Sequence, residues 1–197
     1  MAIPKIIHYC WFGGNPIPKI LQYCIDSWKQ YLPDYELMLW NESNSVFDCD
    51  YVKECYEQKK WAFVSDYIRL KAVCEYGGIY MDTDMLLLKP LDYFLENECF
   101  FVAEHAKSIG AGIFGAKKNN EFIKTCVDLY HDDTVTDKLI PALVSTYFLN
   151  KYQLERKFIE DIILEDIVIY EHNYFYPLPY TKLFDTHHYK KYITKNS

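Results

Sequence analysis

Two carboxylates, Asp82 and Asp84, stand two residues apart where an apolar run ends. In extended backbone this spacing points both side chains to one face, so their oxygens converge. Converging carboxylates suit Mg²⁺ or Mn²⁺, which takes its remaining ligands from water and substrate phosphates. Because two close carboxylates repel each other, they have little structural use without a cation. The pair predicts a metal site that would neutralise charge growing on a leaving diphosphate.

A second charged pair lies in the helix predicted just before this strand. Asp66 and Arg69 are i, i+3 neighbours in the otherwise largely apolar segment 61–76. Such a pair contributes about 0.2–0.5 kcal/mol on a solvated helix face. If the face is buried, the pair costs more to desolvate than it returns, unless something else binds it. We weigh a plain ion pair against a contact to a hydroxyl-rich sugar, and we favour the sugar contact.

The elements that must position these residues predict a layered α/β domain. An apolar strand at 6–12 stops at turn residues, a helix covers about 19–31, and a second strand covers 35–40. Such a β-α-β opening gives parallel strands, and ligands gather where those strands end. The other predicted elements are helices at about 51–59, 61–76, 121–130 and 140–150, strands at 79–81, 99–103 and 111–114, and a strand-like tail from Ile167.

Composition narrows the class of protein. The 197 residues suit one domain, and the net charge of −7 argues against nucleic acid as a partner. No apolar run approaches a membrane span, and residues 5–12 are too short and polar for a signal peptide. The seven cysteines are scattered without a Cys-x-x-Cys pair, which favours a reducing cytosol. We therefore expect a cytoplasmic protein.

Two other classes of site also begin with closely spaced aspartates. A haloacid-dehalogenase phosphatase needs Thr or Val two residues past the second Asp, where this chain has Leu86, and places the motif near its first strand. An EF-hand calcium loop needs further ligands and a Gly, which the apolar residues 85–88 exclude. The sequence therefore disfavours both, although a metal-dependent phosphohydrolase stays open as an alternative.

Two segments together resemble a known family signature: Trp-Ala-Phe-Val-Ser-Asp-Tyr-Ile-Arg at 61–69, and Gly-Gly-Ile-Tyr-Met-Asp-Thr-Asp at 77–84. They are similar to glycosyltransferase family 32, the group with a sugar-binding region containing a DXD motif, and residues 3–14 are similar to its first strand. Clostridial glucosylating toxins are distant relatives of that group. The resemblance covers about residues 3–116. It implies an α/β GT-A fold with a mixed sheet, a nucleotide-sugar donor, Mn²⁺ or Mg²⁺, and retention of anomeric configuration.

The resemblance also implies a set of site residues. The catalytic residues would be Asp82, Asp84 and Arg69, and the nucleotide-sugar-binding residues would be Trp11, Ser65, Asp66, Arg69, Tyr80 and Asp82. Trp11 is similar in position to the residue that stacks on the nucleotide base. Asp66 and Arg69 correspond to donor-sugar contacts, and Asp82 to the carboxylate near the ribose and sugar hydroxyls. Asp84 corresponds to the direct metal ligand, with Asp82 beside it.

The chain departs from the family at its C-terminal end. Similar members carry a segment with a His or Asn and a Ser-Trp pair that completes the metal and diphosphate site. Residues 1–197 contain no such segment, and His187 with His188 is not a convincing replacement. We therefore expect a single GT-A domain over 1–197 that lacks a C-terminal segment.

These features predict an enzyme that moves a hexose-type sugar from a nucleotide-sugar to a glycan or lipid-linked acceptor. A UDP-sugar is favoured over a GDP-sugar, and the expected context is surface or capsular polysaccharide synthesis. Peripheral contact with the inner face of the membrane is a further expectation. The alternative outside enzymology is a nucleotide- or carbohydrate-binding module that kept the fold and lost turnover.

Overall fold

A seven-stranded mixed sheet forms the centre of the protein, and the computed structural model describes it within residues 2–133 and 138–176. The strands are β1 (Ile6–Cys10), β2 (Glu36–Trp40), β3 (Gly78–Met81), β4 (Cys99–His105), β5 (Ser108–Ala116), β6 (Ile162–Ile163) and β7 (Val168–Tyr170). The helices are α1 (Lys19–Tyr31), α2 (Asp50–Glu57), α3 (Trp61–Tyr76), α4 (Glu121–Asp128) and α5 (Ile140–Tyr152). Across the sheet the strand order is β2-β1-β3-β5-β4-β7-β6.

The order of strands places a topological switch point at one end of the sheet. β1 pairs in parallel with β2 on one side and with β3 on the other. The chain therefore reverses its direction of winding across β1, which makes the carboxyl ends of β1 and β3 a topological switch point where ligands bind in open α/β sheets. β5 then pairs antiparallel with β3, so the sheet is mixed, as expected.

Successive side chains of the strands alternate between two hydrophobic cores, one on each face of the sheet. Tyr80 and Phe101 face the core built with helices α2 to α5. Ile79 and Phe100, their neighbours in sequence, face the core built with α1 and a 3₁₀ turn at Asp92–Glu96. This two-residue alternation is the periodicity of a strand buried on both faces. The predicted α/β layering is confirmed.

Most element boundaries agree with the sequence prediction. α1 and α3 have the predicted bounds, and Gly77 ends α3 with a φ of 69° that favours glycine. Asn120 caps α4 by accepting hydrogen bonds from the backbone N–H groups of Phe122 and Ile123. β4 and β5 are longer than predicted, and the two-residue β6 was not predicted. Within the described ranges, no helix has the length and apolar character needed to cross a bilayer.

A fully buried histidine in β1 links this strand to β2 and to the end of α3. The sequence analysis did not identify it. His8, in the middle of β1, is 0% exposed. Its Nδ1 accepts a hydrogen bond from Trp40 Nε1 at 3.1 Å, so its Nε2–H donates to the Gly77 carbonyl at 2.8 Å. Burial lowers the pKa of His8 below its ordinary 6.5, because the charged ring would lose its hydration.

We expect His8 to make folding stability fall as the pH drops below 6.5. The unfolded chain takes up the proton more readily than the native one, so the contribution of His8 is complete above pH 6.5 and is lost at lower pH. His8→Gln can accept from Trp40 and donate to Gly77 without titrating. Its melting temperature should fall less between pH 7.5 and 5.5 than that of the unchanged protein, and equal falls would contradict the assignment.

Candidate functional site

The acidic pair follows the carboxyl end of β3, at the switch point, but its backbone is not extended. β3 ends at Met81, and the backbone N–H of Met85 donates to the Asp82 carbonyl at 3.0 Å, which closes a turn. The backbone N–H of Asp82 donates to the Gly112 carbonyl at 2.8 Å and holds this turn against β5. The extended backbone that the sequence analysis assumed at this pair was therefore wrong, because aspartates favour turns where a strand ends.

The two carboxylates differ in what surrounds them. Asp82 Oδ1 accepts a hydrogen bond from the Tyr80 hydroxyl at 2.8 Å and forms an ion pair with Arg69 Nη1 at 3.2 Å. Burial raises the pKa of Asp82, the Arg69 charge opposes that rise, and the Asp84 charge adds to it. Asp84 is exposed, and among the described residues none forms an ion pair with its carboxylate. Asp84 is thus the carboxylate of the pair that has no ion-pair partner among the described residues.

Arg69 connects α3 to the end of β3 through a buried guanidinium. Its Nη2 forms an ion pair with Asp66 at 3.3 Å and its Nη1 another with Asp82. The Nη1 group also donates to the Ala111 carbonyl at 2.8 Å, and Nε donates to the Ser65 carbonyl at 3.3 Å. The Arg69 side chain is only 8% exposed. The contacts to Asp66, Asp82 and the two backbone carbonyls use most of its N–H donors. The alternative of a plain ion pair on a solvated helix face is therefore excluded, because both side chains are buried, and the favoured sugar contact stays a prediction.

Asp66 occupies a position that a sequence reading could not anticipate. Its carboxylate accepts a hydrogen bond from the backbone N–H of Ile140, at the first turn of α5. A carboxylate at a helix N-terminus is favoured by the orphan N–H groups there. Burial still raises the pKa of Asp66 to about 6, although Arg69 opposes that rise. Asp66 therefore joins α3 to α5 as well as pairing with Arg69.

The remaining predicted residues fall into two groups. Ser65 contributes its carbonyl to Arg69, and Tyr80 places its ring against the same guanidinium, 4.5 Å from the ring centroid. Trp11 stands apart at the end of β1, half-buried, with its indole Nε1 donating to the Asn15 carbonyl at 2.6 Å. The structure therefore brings Ser65, Asp66, Arg69, Tyr80 and Asp82 into one network, with Trp11 at the adjacent strand end.

The sequence analysis missed the part of this site that β5 and Tyr176 supply. Ala111 and Gly112 offer their carbonyls to Arg69 and to Asp82. The Tyr176 hydroxyl accepts a hydrogen bond from the backbone N–H of Gly112. The alternation Gly110, Gly112 inside a strand was a usable signal, since interior strand glycines mark close approach of a ligand or another chain segment.

Asp84 and Asp82 could hold a divalent cation if a substrate supplied further ligands. Their oxygens are the donors that Mg²⁺ and Mn²⁺ prefer, and Mg²⁺ sites commonly use one or two carboxylates plus substrate phosphates. The exposed Asp84 carboxylate suits a direct ligand, whereas Asp82 is already engaged by Tyr80 and Arg69. Within 2–133 and 138–176, no group of three or more His, Cys, Asp or Glu side chains could hold a metal alone. His187 and His188 lie outside the described residues.

Known proteins similar to this chain are glycosyltransferases. Human alpha-1,4-N-acetylglucosaminyltransferase is 30% identical over 51% of this chain and 26% of its own length. Inositol phosphoceramide mannosyltransferase 3 of Schizosaccharomyces pombe is 31% identical over 62% of this chain and 35% of its own length. The chain therefore spans about a quarter to a third of the length of these two relatives.

Solved structures show the same fold. PaToxG glycosyltransferase superimposes with a TM-score of 0.62 at 18% identity, over 77% of this chain and 70% of that one. The UDP-bound glycosyltransferase domain of the YGT toxin gives 0.56 at 13% identity, over 79% of this chain and 69% of that one. Residues 18–101 match the family described as "Glycosyltransferase sugar-binding region containing DXD motif". Residues 18–101 are therefore similar to the sugar-binding region of the DXD glycosyltransferases, and the fold that carries them is GT-A.

Proposed function

We propose that this chain transfers a sugar from a nucleotide-sugar donor, most favourably a UDP-sugar, to a glycan or lipid-linked acceptor. The observation that carries the proposal is the exposed carboxylate of Asp84 beside the buried network of Asp82 and Arg69, at the switch point of a GT-A sheet. A structure of the same fold was solved with UDP bound. Retention of configuration and a role in surface or capsular polysaccharide synthesis follow from the family resemblance and belong to the proposal.

Each site residue has a part in this proposal that its surroundings support. Trp11, at the end of β1, offers a half-buried indole on which a base can stack. Asp84 binds Mn²⁺ or Mg²⁺, with Asp82 beside it, and the cation supplies positive charge for the diphosphate leaving group. Arg69 and Tyr80 fix the Asp82 carboxylate, so that it meets ribose and sugar hydroxyls in one orientation. Ser65 and Asp66 support this orientation through Arg69, Ser65 with its carbonyl and Asp66 with its carboxylate.

We expect UDP to bind, and a divalent cation to strengthen the binding. An acidic pair repels a bare diphosphate, and a cation that both bind reverses the local field. Ligand binding to the native state raises the melting temperature. The measurement is a thermal-shift screen of UDP, GDP and ADP with Mn²⁺, with Mg²⁺ and with EDTA, followed by calorimetric titration of the best pair.

The controls separate the metal from the nucleotide. The cation alone should shift the melting temperature less than the cation with UDP, because Asp84 and Asp82 are too few ligands for a closed site. Equal UDP affinity with Mn²⁺ and with EDTA would remove the metal from the proposal. A preference for GDP would move the donor towards GDP-mannose, and failure of all nucleotides would reject the donor site.

One observation favours the alternative function, a nucleotide- or carbohydrate-binding module without turnover. The Asp82 carboxylate is already paired with Arg69 and bonded to Tyr80, which is an arrangement that needs no substrate to be stable. Donor hydrolysis or transfer by the full-length protein decides between the two, because a module would bind UDP-sugar without releasing UDP. A metal-dependent phosphohydrolase is disfavoured by Leu86 and by the GT-A fold. A cytoplasmic location and contact with the inner membrane face stay as proposals.

A further inference from the structure

We propose that Tyr176 is a donor-sugar contact, and that its hydroxyl with the side-chain-free backbone of Gly112 forms the wall of the sugar pocket beside Asp82. The inference rests on the proposed function and deepens it. Tyr176 comes from the segment after β7, more than ninety residues beyond Asp82, and follows a 3₁₀ turn at His172–Tyr174. Its backbone N–H donates to the His172 carbonyl at 2.6 Å, which fixes the direction in which the ring leaves the turn.

An irregularity in the sheet creates the space that Tyr176 enters. β4 and β5 pair at Phe101 with Phe114 and next at Ala103 with Ile109, so one residue of β4 opposes four of β5 between these pairs. Such a bulge leaves ladder groups unpaired and re-aims the strand, which is common beside active sites. Backbone groups of β5 next to this irregularity face the site. Ala111 presents its carbonyl to Arg69, and Gly112 presents its N–H to Tyr176 and its carbonyl to Asp82.

Gly112 brings a phenol and a carboxylate to one point. A Cβ added at Gly112 would lie 2.5 Å from the Tyr176 hydroxyl and 3.2 Å from Asp82 Oδ2. No real side chain tolerates the first distance, so the residue must lack one while Tyr176 stays in place. A Cβ at Gly110 would also press on the Tyr176 ring, at 3.3 Å. Because neither glycine has a side chain, the Tyr176 ring packs directly on the backbone of β5, next to Asp82.

This space is open to a ligand. The Asp82 side chain is 36% exposed, and Gly112 and Tyr176 are both only half-buried. A ligand that reaches the Asp82 carboxylate therefore meets the edge of the phenol as well. Burial raises the pKa of Tyr176, and the Asp82 charge adds to the rise, so the group is a neutral hydroxyl at physiological pH. A neutral hydroxyl beside a carboxylate matches the donors and acceptors of a sugar.

The test measures how much the donor sugar adds to the affinity for the nucleotide, and compares this gain between the unchanged protein and its variants. Calorimetry with UDP-glucose, UDP-N-acetylglucosamine and UDP, all with Mn²⁺, gives the ratio of UDP-sugar affinity to UDP affinity for the full chain. Tyr176→Phe keeps the ring and removes the hydroxyl. We expect the preferred UDP-sugar to bind about three- to tenfold more weakly, which is the effect of one lost neutral hydrogen bond, while UDP changes less than about twofold.

Tyr174→Phe is the matched control. Tyr174 lies on the same 3₁₀ turn, but its hydroxyl donates to Asp161 Oδ2 at 3.2 Å. This variant should lose a hydrogen bond of the same kind without changing the ratio of UDP-sugar affinity to UDP affinity. A drop in that ratio equal to the one in Tyr176→Phe would mean that the whole segment matters only structurally, and would overturn the inference.

A second pair of variants tests whether the hydroxyl occupies the space above Gly112. Gly112→Ala should lower the melting temperature, because its methyl group meets the Tyr176 oxygen. In Gly112→Ala with Tyr176→Phe the next atom of the ring, Cζ, lies at 3.6 Å, an ordinary contact. The melting temperature should recover at least in part, and the lowered affinity ratio of Tyr176→Phe should persist.

Three outcomes overturn the inference. These are no recovery of melting temperature in the double variant, an unchanged affinity ratio in Tyr176→Phe, which includes an equal loss of UDP and UDP-sugar binding, and a Tyr174→Phe effect of the same size. The unchanged ratio rejects Tyr176 alone and leaves the proposed function intact. Absence of any UDP-sugar binding by the unchanged protein rejects the proposed function and this inference together.

Discussion

Asp84→Ala is expected to abolish sugar transfer and to leave the melting temperature within about 2 °C of the unchanged protein. Asp84 is exposed, and within the described ranges its carboxylate has no ion-pair partner to lose. Removing it also takes away a charge that repels Asp82. If Asp84 is the free metal ligand, transfer should fall at least about a hundredfold, since a catalytic cation supplies several kcal/mol of charge stabilisation.

Two further variants serve as comparisons for this test. Asp84→Asn keeps the shape and removes the charge, so it should be nearly as inactive as the alanine variant. Asp26→Asn on α1 removes another exposed carboxylate, one that pairs with Lys29 at 3.1 Å, and should leave transfer unchanged. Full transfer by Asp84→Ala would reject the metal assignment. A large fall in its melting temperature without metal would instead give Asp84 a structural part.

The motifs and the elements that carry them could be predicted because local signals agree there. α3 shows why: its sixteen residues contain no Gly or Pro, and Gly77 and Gly78, both with positive φ, turn the chain into β3. The contrast is β6, a strand of two residues, Ile162 and Ile163, which pairs only because β7 lies beside it. A strand that short has no periodicity of its own, and tertiary contacts decide its existence.

The connections inside the site could not be predicted for a related reason. The pairing of Asp66 with Arg69 is a local i, i+3 contact and is visible in the sequence. The third member, Asp82, and the N–H of Ile140 come from other elements, and no local rule places them. The turn at Asp82 was mispredicted because a strand pattern does not reveal where the chain leaves the sheet. Long-range placement therefore decides what each charged residue can do.

That placement changes what Arg69→Lys should do. The sequence reading assigned Arg69 to the sugar, and the structure shows its guanidinium holding Asp66, Asp82 and two backbone carbonyls from inside the fold. A lysine ammonium is a compact point charge and cannot reach all of these acceptors from one position. At least one buried acceptor then loses its partner, which should cost about 1–3 kcal/mol of the free energy of unfolding. Arg69→Met, which leaves both carboxylates unpaired, should cost about 3–5 kcal/mol.

Transfer should fall further than this loss of stability explains. Asp82 depends on Arg69 for its orientation, and a misplacement of about 1 Å at a reacting site can lower the rate about a hundredfold. Arg69→Lys should therefore lose about two orders of magnitude in transfer while it is still folded at the assay temperature. UDP affinity should change less than transfer, because UDP offers Asp82 only its ribose and lacks the donor sugar. The measurements are the melting temperature, UDP affinity and transfer rate of the same preparation.

Arg156→Lys is the matched control, because Arg156 is the other arginine of the sequence and only donates to the Lys107 carbonyl at the surface, at 3.4 Å. It should change none of the three quantities. The pattern across the three readouts then identifies the part that Arg69 plays. Equal loss of UDP affinity and transfer would place its guanidinium on the diphosphate. Lost transfer with an unchanged melting temperature would restore a direct sugar contact, since the internal ion pairs would then contribute nothing to folding. Unchanged transfer would mean that Asp82 keeps its orientation without Arg69, and would reject the network as the device that positions it.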